Sequence, residues 1–391
     1  MSRRCAYTRR GFLGVIGSSS LLGLAEPFLS KHYSGALSPA SDVRFAYVAS
    51  DAEDAGRIHV FRANGSAWKL VQSVASESPS SLALSADQTT LFVANRRRYY
   101  QGRPTASVEA YRIDRCSSDL RLLSRRSLAL SAIGPEHVAV SPDGKYLAVS
   151  ATAGGAYNLL PIDHEGKLGG VTILHKETGA SIHPEWQLSA KPQQIVFDGQ
   201  GRLISSDLGC DRINVFQLDG DSLIAMQRTS VEPGSGPAAI ELSSKSSALF
   251  VGGALDGRIS AYAYDEANGR ILKLMGSAKA FSRSTAGRLH AIAIHPSGEL
   301  VIVAWSDQIS HSVTSWRFNR KDGSFETGGT LKVQGATKVL RFFPDGDSLV
   351  AVDATNGVIS SLRFDEASGE LGSISKLTSA QSSSAICFTY L

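Results

Sequence analysis

The chain has 391 residues, 42% hydrophobic and 19% charged, which leaves room for a large core and excludes a disordered, charge-rich chain. Without the four arginines of residues 1–25, the 40 basic side chains fall to 36 and match the 36 acidic ones, so nucleic acid is not an expected partner. Four cysteines with no CxxC spacing, and nine scattered histidines, give neither a disulfide framework nor a zinc site, and no metal or cofactor is expected.

The first element is a basic, then apolar, leader. Thr8-Arg9-Arg10-Gly11-Phe12-Leu13 resembles a twin-arginine export motif, and the apolar stretch from Val15 to Ala25 is too short to span a bilayer. Residues 1–25 are therefore predicted to be a signal peptide, 26–42 a linker and 43–391 the folded domain. That domain is expected in the periplasm or outside the cell, with no stable membrane anchor. Cys5 leaves with the leader. Cys116, Cys210 and Cys387 remain, and the sequence does not choose a disulfide among them.

From Arg44 onward one unit recurs: an apolar strand, a polar turn, a second apolar strand, a Gly/Asp-rich turn, an alternating third strand and a short fourth. The clearest copy runs from Glu136 to Ser150. Its Pro142-Asp143-Gly144 turn joins Val138–Val140 to Tyr146–Val149, proline presetting φ and glycine accepting a positive φ. In chain order the other copies begin near Ser81, Gln193, Ala238, His290 and Lys338. Spacings of roughly 45 to 56 residues suit propeller blades with loop insertions. Arg44–Ser50 and Arg57–Phe61 read as the middle strands of a blade that lacks its first strand, and Ala385–Tyr390 reads as that strand. The prediction is an all-β fold, a seven-bladed β-propeller closed by N- and C-terminal strands paired in one blade. Closure of this kind leaves no open sheet edge.

In such a ring, residues that open each first strand and residues just after each second strand converge on a central channel. No Gly-x-Ser-x-Gly elbow, Walker loop or dinucleotide fingerprint occurs to place chemistry elsewhere. The polar residues expected near the channel mouth are His137, Glu185, Gln187, Gln193, Asp207, His290, Lys338 and Asp353. Trp186 lies among them as a candidate sugar-stacking or rim aromatic.

Several segments carry a more specific signal. Ser206-Asp207-Leu208-Gly209-Cys210-Asp211-Arg212-Ile213, Pro233-Gly234-Ser235-Gly236-Pro237, His183-Pro184-Glu185-Trp186-Gln187 and Pro135-Glu136-His137 resemble motifs of the lactonase propellers, the 6-phosphogluconolactonase-like family. The resemblance runs from about Arg44 to the C-terminus. It implies a seven-bladed propeller that opens a sugar-derived lactone, with a small lactone or sugar acid as its partner, here acting as a monomer outside the cytoplasm.

The chain departs from the family pattern at the positions that the resemblance marks as catalytic or phosphate-binding. Ala238 and Ala239 stand where the family has Arg-His, Ala291 where it has Glu, Gly253 and Ala254 where it has Asn-Glu, and Gln193 where it has His. Ring opening needs a base for water and a donor or cation for the oxyanion. His137 and Glu185 are the predicted catalytic residues, and Gln187, Gln193, Asp207, His290, Lys338 and Asp353 the predicted substrate-binding ones. The alternative is a non-catalytic propeller that binds a saccharide or a protein partner, which the alanines favour.

Overall fold

A computed structural model describes residues 44–51, 56–64, 67–281 and 287–390; the predicted signal peptide and linker lie outside these residues. Within them the chain is almost wholly β, arranged as seven four-stranded antiparallel sheets. The first blade is built from Ser383–Tyr390, Arg44–Ser50, Arg57–Arg62 and Lys69–Ala75, from the inside outward. The inner strands of the next six blades are Pro79–Leu84, Pro135–Val140, Pro192–Phe197, Pro237–Ser243, Arg288–Ile294 and Thr337–Phe342. Each inner strand touches the inner strand of the next blade, and Thr337–Phe342 touches Ser383–Tyr390, so the ring closes. Arg44 pairs with Tyr390 and Val48 with Ile386 in the closing blade, as the repeat reading expects. The fourth strands are the exception to that reading: Arg270–Lys279 runs to 10 residues, and only Ile173–Lys176 is short.

The turns between first and second strands follow from local side-chain chemistry. In the third blade, Ser141 Oγ donates to Asp143 Oδ1 (2.6 Å) and accepts from Tyr146 N–H (3.0 Å), while Gly144 takes φ +71°. The Ser85–Thr90 turn of the second blade repeats this wiring through Asp87. Each turn returns a strand whose alternate residues are apolar, and those residues meet the facing sheet.

The core is divided. Among the described residues seven apolar clusters occur, one in each gap between neighbouring blades, and each draws residues from both sheets. The gap that seals the ring packs Trp68, Phe343 and Phe388, with the two phenylalanine rings stacked at 4.0 Å. At roughly 1.5–3 kcal/mol per buried apolar side chain, inter-sheet packing is the main force holding the blades together.

A bulge marks the start of every inner strand and sets the site. Pro135 pairs with Ala151 and His137 with Ser150, which leaves Glu136 as the extra residue; Pro237/Ala239, Leu289/Ala291 and Thr337/Val339 repeat the shift. The freed carbonyls are satisfied by the preceding blade. Ser80 Oγ donates to Pro135 O (3.0 Å), Thr152 Oγ1 to Pro192 O (2.6 Å) and Ser384 Oγ to Pro79 O (2.6 Å).

Candidate functional site: the mouth of the central channel

A cavity of about 690 Å³ occupies the channel, and all seven inner strands contribute to its lining. The extra residues of the bulges, including Glu136, Gln193, Ala238, His290 and Lys338, are among its lining. His137, Gln194, Ala239 and Ala291 stand one residue further along the same strands, and Glu241 and Arg341 two residues beyond Ala239 and Val339 on theirs.

Charge within the cavity is uneven. Arg341 Nη1 lies 3.5 Å from Glu241 Oε1, and Arg96 Nη2 lies 3.0 Å from Glu136 Oε2, so these four side chains form two ion pairs. Among the described residues, no carboxylate comes within ion-pair distance of Arg288 or Lys338. Both belong to neighbouring inner strands, and both press their positive charge on His290 between them. Burial first, then these two cations and His311, hold the His290 imidazole down to about 4, so it is neutral at physiological pH. Its Nε2 is bonded to Ser306 Oγ at 2.6 Å. His137 is lowered further, to about 3, by burial and then by Arg341, and its buried Nδ1 has no hydrogen-bond partner. Burial raises the Glu241 carboxyl above its ordinary range, against the pull of Arg341.

Four of the predicted residues line this cavity: His137, Gln193, His290 and Lys338. The other four are placed elsewhere. Asp207 is fully buried, and its Oδ1 accepts from the backbone N–H of Lys191 (2.8 Å), Gly209 (3.0 Å) and Cys210 (3.2 Å), capping the turn Leu208–Cys210. Asp353, at the equivalent position of the seventh blade, caps its own turn through Thr355 N–H and the Asn356 side chain. Gln187 is buried and bonded to Leu208 O (2.8 Å) and His183 N–H (2.9 Å). Glu185 is exposed on the same loop, outside the cavity lining.

Lining residues that the sequence reading did not select include Arg96, Glu136, Arg288, Glu241, Arg341 and Gln194. For two of them a signal was present: Glu241 and Arg341 are charged residues between apolar neighbours (Ile240 and Leu242, Leu340 and Phe342), at equivalent positions of their first strands. Among the described residues no disulfide joins Cys116, Cys210 and Cys387, and no helix is long and apolar enough to cross a membrane.

A family model described as "Lactonase, 7-bladed beta-propeller" matches residues 45–388, nearly the whole described ring. The chain belongs to this lactonase family. Two curated relatives are named 6-phosphogluconolactonase. The one from Formosa agariphila is 26% identical over 292 residues, 72% of this chain and 81% of the relative. The one from Bacillus subtilis is 22% identical and covers 68% and 75% respectively. Among solved structures, a Bacteroides fragilis protein superposes with TM-score 0.80 at 18% identity, covering 90% of this chain and 99% of its own. The periplasmic gluconolactonase of Pseudomonas aeruginosa superposes with TM-score 0.78 at 23% identity, covering 88% and 99%. These superpositions agree with the lactonase propeller fold built above.

Proposed function

We propose that the chain is a lactonase that opens a sugar-derived lactone in the channel, after export to the periplasm. One observation carries the chemistry: Arg288 and Lys338, which among the described residues have no carboxylate within ion-pair distance, although Glu136 acts on Arg288 from further off, flank a neutral histidine, His290, in the cavity lining. With Ser306 Oγ accepting from Nε2–H, the Nδ1 lone pair of His290 takes a proton from water as that water attacks the ring carbonyl. The new C–O bond places negative charge on the former carbonyl oxygen, where Lys338 and Arg288 stabilise it. Collapse breaks the ring C–O bond, and the proton on His290 passes to the departing ring oxygen, giving a hydroxy acid. His137 is the second neutral base in the cavity. Glu185 has no part in this scheme, because it stands outside the lining.

Export is supported by the twin-arginine pattern at Arg9-Arg10 and by the periplasmic location of the Pseudomonas aeruginosa gluconolactonase. The small lining residues Ala238, Ala239, Ala254 and Ala291 favour a second reading, a propeller that binds a saccharide without turning it over.

A panel of aldonolactones, phosphorylated and not, separates the two. Lactonase activity predicts acid release that falls about 100-fold in Lys338→Ala, the scale of losing one oxyanion partner. Binding of lactones or sugar acids with no ring opening by folded wild-type protein would leave only the binding reading.

A further inference from the structure

The segment that joins the third blade to the fourth is built as a rigid lip. Ser181 N–H donates to Gln187 O (2.9 Å), and Gln187 N–H donates back to His183 O (3.1 Å). His183 Nδ1 accepts from the N–H groups of Glu185 and Trp186, both at 3.3 Å. The buried Gln187 side chain fastens this turn to Leu208 O in the fourth blade. A turn held at this many points fixes the place of its aromatic side chain, Trp186, which remains 39% exposed.

The indole is engaged. Its ring centroid lies 4.3 Å from Arg288 Cζ and 5.5 Å from Lys191 Nζ. Arg288 opens the inner strand of the sixth blade, so the contact reaches two blades round the ring from the lip. A free arginine side chain in a water-filled channel samples many rotamers, and ordering it for a ligand costs affinity. Stacking on an indole removes much of that freedom while leaving the guanidinium N–H groups available as donors.

We propose that Trp186 is a positioning residue for an anion site in the channel. It holds the Arg288 guanidinium beside His290 and Lys338, so that the lip between the third and fourth blades sets the affinity for carboxylate-bearing ligands. The inference rests on the channel being the ligand site, as proposed above. The cations against the ring also assign the indole to Arg288 rather than to a sugar.

The test is calorimetric binding of gluconate, with inorganic phosphate as a second probe, to the folded chain and its variants. Trp186→Ala weakens gluconate binding about fivefold, from the loss of one partly exposed cation–π contact. Trp186→Phe keeps affinity within about twofold of wild type, since a smaller aromatic face remains. Arg288→Ala weakens binding at least as much as Trp186→Ala, and the double variant Trp186→Ala/Arg288→Ala is no weaker than Arg288→Ala alone. Arg288→Lys, which keeps the charge but not the planar stack, loses affinity as Trp186→Ala does. Thermal unfolding of Trp186→Phe and Arg288→Lys monitors the fold, so these two decide the matter if Trp186→Ala fails to fold. Wild-type affinity in Trp186→Ala, or additive losses in the double variant, overturns the positioning role; Lys338→Ala still weakening the binding then leaves the channel reading standing. No gluconate or phosphate binding by wild type, or none lost in Lys338→Ala and Arg288→Ala, overturns the channel reading and this inference with it.

Discussion

Acidification from pH 8 to pH 5 will destabilise the wild-type protein more than a His290→Gln variant. The His290 imidazole titrates near 4 in the folded chain and near 6.5 once unfolded, chiefly because burial disfavours its charged form and Arg288 and Lys338 oppose it. Between those values the unfolded chain binds the extra proton, so the folded state gains relative stability as pH rises and loses it as pH falls below about 6.5. At pH 5 the unfolded histidine is almost fully protonated and the folded one almost neutral. The linkage amounts to about 2 kcal/mol, and to about 1 kcal/mol once water in the open channel is allowed for. Urea unfolding of both proteins at pH 8 and pH 5 measures it. The stability difference between wild type and His290→Gln should shift by about 1–2 kcal/mol against wild type on acidification. Removing one cation, as in Lys338→Met, should raise the imidazole titration point in an NMR experiment. Equal acid losses in wild type and His290→Gln would refute the placement of a desolvated histidine between two cations.

Three further outcomes follow from the packing and caps. Phe388→Ala, which deletes a ring stacked on Phe343 and edge-on to Trp68, should cost about 3–5 kcal/mol in urea unfolding and loosen ring closure first. Asp207→Ala leaves the N–H groups of Lys191, Gly209 and Cys210 without their buried acceptor; stability should fall by about 1–3 kcal/mol, with lactone KM unchanged in steady-state assays. Gly209→Ala should be worse still by the same denaturation measurement, because a Cβ there runs into the Ser189 carbonyl oxygen and Lys191 N.

The ring was legible because its signals are local and repeated. Ser-x-Asp turns, apolar alternation and a spare strand at Ala385–Tyr390 each specify pairing partners without knowledge of the rest. The channel was only half legible, for a geometric reason. A bulge at the start of each inner strand shifts the period-two alternation by one residue, and this moves Glu241, Arg341 and Gln194 into a lining that simple alternation does not assign. Asp207 and Asp353 follow second strands, where convergence on the channel is the general expectation. A carboxylate beside a tight turn, however, finds backbone N–H donors closer than any ligand, and both side chains turn inward to cap. Arg288 could be found only in three dimensions, since what distinguishes it is an indole more than 100 residues earlier in the chain.

The strand that completes the first blade lies more than 330 residues after its hydrogen-bonding neighbour, a separation that the Ser384 to Ala49 contact spans. During synthesis, then, six sheets can assemble in order while Arg44–Ser50 waits with one flank unsatisfied. The ribosome must release residue 390 before that flank is covered, so the last step of maturation is a single long-range docking event that no earlier fragment can perform. Any nascent intermediate carries a sticky edge next to an unsealed channel. That edge is the feature by which unfinished molecules differ from finished ones.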